Sequence, residues 1–219
     1  MNLEHLSRLR QAIYRLGAAG FSPPTQELLA ACRGATEMLD SLGLFDYSFG
    51  PAVANATTSL AEADLDELSA AFVSLFEVGV SGAPCPPQES SHLANSRTGE
   101  VAQIQSELQR IYLRFGLRLD AGSTDMVDHI STELHVMSTL CGQEADRHTS
   151  SRPFDRVVRY EDEFLTEHLL RWAPAFTAMV RSADRHPAHN ALADGVAAFL
   201  AHERQLLPLL VATSVELSA

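Results

Sequence analysis

Lysine is missing from this 219-residue chain: all sixteen basic residues are arginine. That excludes amine chemistry such as a Schiff base on a lysine side chain. Cysteine is scarce, with Cys32, Cys85 and Cys141 far apart and no C-x-x-C pair. An odd, dispersed set argues against a disulfide framework or a structural zinc site and fits a reducing compartment. Cys32 and Cys141 fall within apolar helical patterns and are expected in the core. No apolar run approaches the ~20 residues that cross a bilayer. Glu4, Arg8 and Arg10 near the N-terminus have no apolar stretch behind them, unlike a signal peptide. The expected location is the cytoplasm.

Catalytic signatures are missing as well. Neither G-x-G-x-x-G nor G-x-x-x-x-G-K-[ST] occurs, and there is no G-x-S-x-G elbow. His202-Glu203 begins an H-E-x-x-H pattern, but Leu206 stands at the position of the second histidine. A di-iron bundle needs two Glu-x-x-His pairs on facing helices; one such spacing exists, Glu89-x-x-His92, in a Pro-rich stretch. No catalytic residue, cofactor site or metal ligand is therefore assigned. His5, His148, His168, His186 and His189 sit among polar neighbours and are expected in solvent.

The formal charge is −12. Such a surface repels nucleic acid and anionic lipid and attracts a basic partner; simple solubility accounts for it equally well. Helical periodicity dominates the rest. Leu3, Leu6, Leu9, Ile13 and Leu16 predict a first helix ending at Gly17–Gly20. A second opens at Ser22-Pro23-Pro24 and runs to Gly43, weakened at Gly34. Residues 45–58 read as a connection, and Ser59-x-x-Glu62 as a capping box for a third helix that ends at Gly79. A long Gly/Pro/Ser-rich loop over 79–97 follows. The fourth helix carries Val101 to Phe115. The fifth starts near Asp125 and ends at Gly142, before a polar linker over 143–153. The sixth runs from Phe154 to about Arg181 with a kink at Pro174, and the last from His189 to Leu207. The prediction is an all-α, single-domain bundle of about seven main helices over residues 1–219.

One constellation carries chemistry. Asp125, Asp128, His129 and Glu133 lie within nine residues, and Asp125, His129 and Glu133 at i, i+4, i+8 share one helical face. Carboxylates a turn away on each side favour the protonated imidazole. The same charges serve equally well as a simple helix-start arrangement; spacing alone leaves both readings open.

These residues resemble the TorD/DmsD/NarJ family, chaperones of molybdopterin-containing oxidoreductases. Phe72-Val73-Ser74-Leu75-Phe76-Glu77-Val78-Gly79 resembles the family's aromatic-x-x-Leu-Phe segment ending in Gly. Pro86-Pro87-Gln88-Glu89-Ser90 resembles its Pro-x-x-Glu-Ser loop. Asp125-Met126-Val127-Asp128-His129 with Glu133-Leu134 resembles its Glu-Pro-x-Asp-His and Glu-Leu elements, and His168-Leu169-Leu170-Arg171-Trp172-Ala173-Pro174 its His-Leu-x-x-Trp-x-Pro run. Met126 replaces the usual proline, Asp125 stands for Glu, and His92 falls where an aromatic often follows the Glu-Ser pair.

The resemblance implies a cytoplasmic, non-enzymatic chaperone that binds the catalytic-subunit precursor of a molybdenum enzyme until its cofactor is inserted. It also implies shelter for a twin-arginine signal peptide, with an apolar groove for the peptide's hydrophobic stretch and acidic groups for its arginines. On that reading Asp125, Asp128, His129 and Glu133 form the polar side of the client site. Leu75, Phe76, Glu89, Ser90 and Trp172 are further candidates, although Leu75, Phe76 and Trp172 also suit core positions. A monomer and a helix-swapped dimer both remain open. The alternative is a helical adaptor or accessory subunit of a larger complex. A third reading is a hydrolase with His129 as base, oriented by Asp125 or Glu133, for which no nucleophile is recognisable.

Overall fold

The computed structural model describes residues 2–77, 83–94, 98–117, 127–150 and 152–216, and these are all-helical. Helix α1 (Leu3–Gly20) is capped by Asn2, whose side chain accepts from the Glu4 and His5 amides. Its apolar stripe of Leu6, Leu9 and Ile13 is buried along α8 (Ile130–Thr149). The two helices approach closely because a side chain is missing: a Cβ on Gly142 would come within 2.5 Å of Gln11 Nε2. Across this seam Ser138 Oγ donates to the Gln11 carbonyl at 3.0 Å.

The expected second helix is two helices, α2 (Gln26–Cys32) and α3 (Ala35–Ser41). Gly34 between them takes φ +80°, a conformation that ends one helix and re-aims the next. The segment read as a connection over 45–58 instead contains a 3₁₀ turn and α4 (Gly50–Ala61). Its buried face is small (Val53, Ala56, Thr57 and Leu60), so the apolar signal was weak. It packs on α11 (Pro187–Glu216), where a Cβ on Gly195 would meet the Ala52 carbonyl at 3.2 Å. Ser59 therefore lies inside α4 and is not a cap. The N-cap of α5 (Leu65–Phe76) is Asp64, which accepts from the Asp66 and Glu67 amides.

The Pro-rich stretch contains a short helix, α6 (Glu89–Leu93), and α7 spans Thr98–Arg114. The expected linker over 143–153 is largely the last turns of α8, held to α1 by Arg8–Asp146 and Thr149–Glu4 contacts. Beyond it, α9 (Asp155–Phe164) passes through a π turn (Leu165–Leu169) into α10 (Leu170–Ala183). The irregularity thus precedes Pro174, whose missing N–H leaves the Leu170 carbonyl without its helical donor. Helix α11 continues through Pro208 to Glu216. One contiguous core joins residues from Leu6 to Leu210, and all three cysteines are buried and free. No described helix is long and apolar enough to cross a membrane.

Inside that core sits a buried ion cluster. The Arg10 guanidinium meets Glu144 at 2.6 Å, Glu161 at 2.5 Å and Glu203 at 2.9 Å, from α8, α9 and α11. Tyr14 Oη donates to Glu203 at 2.9 Å. One arginine on α1 therefore ties together three helices that the apolar pattern alone would let slide.

Candidate functional site

The start of α8 is built by a strand-like contact. Gln88 and His129 form an isolated antiparallel bridge. The Glu89 amide donates to the Asp128 carbonyl at 2.8 Å, and the Ile130 amide to the Pro87 carbonyl at 2.8 Å. Pairing with the loop holds His129 extended (φ −83°, ψ 142°), so it is the N-cap of α8. Asp128 and His129 consequently precede the helix, so His129 and Glu133 do not form the expected common helical face. Asp125 itself lies outside the described residues.

Asp128 is fully buried. Its carboxylate accepts from Ser90 Oγ at 2.5 Å and Gln105 Nε2 at 3.3 Å. His129 is half-buried; its Nδ1 accepts from the Ser131 amide at 3.2 Å and faces Ser131 Oγ at 2.7 Å. Glu133, on the first turn of α8, is fully buried, as are Glu89 and Trp172. Trp172 Nε1 donates to Glu133 Oε2 at 3.1 Å. His168 Nδ1 sits 3.1 Å from both oxygens of Glu89. His168 is thus a core residue, contrary to the expectation of a solvated side chain; so is His189, which is completely enclosed.

Burial pushes the Glu133 carboxyl well above the ordinary 4.5, and the nearby Glu89 carboxylate adds to the shift. Neutralisation is the cheaper response to an uncompensated buried charge. It also answers a geometric problem, because Glu133 Oε1 meets no donor. Glu89 is the charged group that raises the Glu133 carboxyl most. Glu89 thus has Glu133 close by and His168 within hydrogen-bond distance. Tyr112, raised by burial and then by Glu133, keeps its proton and donates to the Val127 carbonyl at 2.7 Å.

An aromatic chain joins this network to α5. Trp172 lies 5.6 Å from Phe176, which is 5.9 Å from Phe76, while the Cys85 amide donates to the Leu75 carbonyl at 2.9 Å. Of the nine sequence-derived candidates, Leu75, Phe76, Glu89, Ser90, Asp128, Glu133 and Trp172 are brought into one buried region, with His129 at its accessible edge. Sequence reading missed His168 and Tyr112. His168 lies four residues before Trp172 and within the quoted motif, and that spacing was the available signal. The arrangement fixes the loop over 83–94 to the start of α8. Among the described residues no group of three potential ligands is arranged to hold a metal ion.

A family model described as nitrate reductase delta subunit matches residues 30–178. The selenate reductase assembly chaperone of Thauera selenatis is 28% identical over 170 residues, covering 76% of this chain and 78% of that one. The chlorate reductase assembly chaperone of Ideonella dechloratans is 30% identical over 51% of this chain and 56% of its own. The TorD chaperone of Aliivibrio salmonicida is 25% identical over 61% of each. A crystal structure from Archaeoglobus fulgidus, described as a redox enzyme maturation protein, shares the fold with a TM-score of 0.54. It is 20% identical and covers 90% of this chain and 93% of its own.

Proposed function

Since this chain belongs to the nitrate reductase delta subunit family, we propose that it is a dedicated assembly chaperone for the catalytic subunit of a molybdopterin-containing oxidoreductase. The observation that carries this reading is that several relatives, matched over half to three quarters of the chain, are named assembly chaperones of reductases. It acts in the cytoplasm as one helical unit, by binding and release and not by turnover, and takes the subunit before its cofactor is inserted. A twin-arginine signal peptide is part of what it binds.

The buried network suggests how binding works. Asp128, Glu89, Ser90 and Glu133 are enclosed, so in this state they hold the loop over 83–94 against α8 and meet no peptide. His129 and the half-buried Gln88 stand at the outer edge of that contact. A client that lifts the loop gains the acidic groups beneath it as partners for its arginines, and Trp172, Leu75 and Phe76 as apolar surface. Loss of the loop's own contacts keeps net affinity modest, which release requires.

The test is a pull-down from native cytoplasm with mass spectrometry of what remains bound. A large molybdopterin-enzyme subunit lacking its cofactor is the expected catch. Recovery of only the cofactor-loaded enzyme would favour an accessory subunit. His129→Ala is expected to weaken capture with helix content unchanged; equal loss of fold and capture would return His129 to a purely structural role.

A further inference from the structure

A second recognition surface lies on a different face, along α1. A cavity of about 550 Å³ opens between α1 and the α2–α3 pair, lined by Ala12, Leu16, Leu28, Ala31, Met38 and Leu42 among others. It adjoins a second cavity of about 340 Å³ between α1 and the start of α8, with Ser22, Ser131 and His135 in its wall. Arg15 and Ala19 line both. Together they make one groove along α1 from Arg8 to Ser22. At 1.5 Å per residue that is roughly 20 Å, the length of a helix of about four turns. A small ligand would need no such length.

The charge in this groove is the reverse of the molecule's. The chain carries a net −12, yet the charged side chains lining the larger cavity are Arg8 and Arg15, with no carboxylate among them. Glu37 and Asp40 of α3 are absent from this lining, whereas Ala35, Met38, Leu39 and Leu42 of the same helix and turn are present. Arg15 is exposed and has no ion-pair partner among the described residues. Arg8 pairs with Asp146 at 2.7 Å, but the two side chains are 37% and 72% exposed, and such a pair is readily exchanged for another. Along α1 the order Arg8, Ala12, Arg15, Ala19 alternates steps of four and three. This is the spacing of a helix–helix seam, with alanines low enough for a second helix to approach.

We propose that this groove is a docking site for an amphipathic α-helix of a partner protein that carries carboxylates seven residues apart beside its apolar stripe. The carboxylates meet Arg8 and Arg15, and the stripe fills the space over Ala12, Ala19, Leu28 and Met38. The surface is chemically opposite to one for an arginine-bearing peptide, and the proposal does not depend on the identity of any client. A basic segment is attracted by the rest of the surface; an acidic helix finds its match here against the long-range field, so the local pairing confers specificity.

The test uses the full chain and two fluorescein-labelled 18-residue synthetic helices in an anisotropy titration. Both carry leucine on the apolar stripe; one has Glu at the seven-residue positions and the other Arg. The wild-type protein is expected to bind the Glu peptide at least tenfold more tightly. Arg15→Glu, at an exposed position, is expected to keep the helical circular dichroism and reverse the preference. Ala19→Trp, which fills the groove, is expected to abolish binding of both. Equal binding of the two peptides, tighter binding of the Arg peptide by the wild type, no binding of either, or an unchanged preference in Arg15→Glu would each overturn the proposal. So would self-association of the wild type that Arg15→Glu removes, which would assign the groove to a second copy of the chain. Displacement of the Glu peptide by dodecanoate at one equivalent would assign it to a small anion instead.

Discussion

Trp172 Nε1 on α10 donates a hydrogen bond of 3.1 Å to Glu133 Oε2 on α8, with both side chains fully buried. This contact joins the helix that follows the π turn to the helix whose start is paired with the Pro-rich loop. It is also convenient to observe, because the chain has a single tryptophan. Trp172→Phe removes the donor and leaves a buried acceptor unpaired. The expected cost is about 1–3 kcal/mol, measured by chemical denaturation followed by circular dichroism. No loss would mean that Glu133 finds another donor at once.

Glu133 should make stability depend on pH. Its folded-state affinity for a proton is raised above the ordinary 4.5 by burial and by Glu89. The stabilisation it lends is therefore fully present below about 4.5 and is lost as pH rises through the folded value. Glu133→Gln keeps an acceptor for Trp172 and a permanent donor for Glu89. Melting temperatures measured from pH 5 to pH 9 are expected to fall less steeply in this variant than in the wild type. Parallel curves would show that Glu133 is already ionised in the folded state.

His189 acts in the opposite direction. Burial, with His186 nearby, lowers it from 6.5 to about 4, and neither ring nitrogen has a hydrogen-bond partner. Its contribution is present above about 6.5 and is lost as pH falls towards about 4. The ring packs on Phe72 and Phe76 at 6.3 and 5.6 Å. His189→Leu should be at least as stable at pH 7 and should lose less stability between pH 6.5 and 4. A steeper acid loss in the variant would contradict this account.

Arg10 supplies the cation for Glu144, Glu161 and Glu203 in the buried interior. Arg10→Met leaves these carboxyls without it, and breaking such a cluster from one side costs about 3–5 kcal/mol. The variant should unfold at markedly lower denaturant and recover part of the loss at low pH, where the carboxyls are protonated. Unfolding midpoints at pH 5 and pH 8 test both statements.

Much of the fold was legible because long amphipathic helices announce themselves. Leu6, Leu9 and Ile13 repeat at helical spacing and are buried as that pattern requires. Helix α4 was not legible, since its contact with α11 relies on Ala56 meeting Gly195, and small residues leave no hydrophobic period to read. The extent of α8 was misjudged for a related reason. Residues 143–149 look polar, but Glu144 enters the buried ion cluster while Asp146 and Thr149 tie α8 to α1.

The sequence by itself determined the class of fold and the buried apolar stripes, which local spacing encodes. That Pro86–Ser90, Asp128–Glu133 and His168–Trp172 belong together is what the resemblance to the family implied. Only the tertiary structure decided what those motifs do to one another. Bridging to Gln88 makes α8 begin one residue after His129, at Ile130. Burial then turns an acidic patch into an enclosed cluster, in which His168 meets Glu89 and the Glu133 carboxyl is raised. The acidity of a carboxyl depends on the solvent removed from it and the charges placed beside it. Residues 79 positions apart, as His168 and Glu89 are, acquire that environment only when the chain has folded.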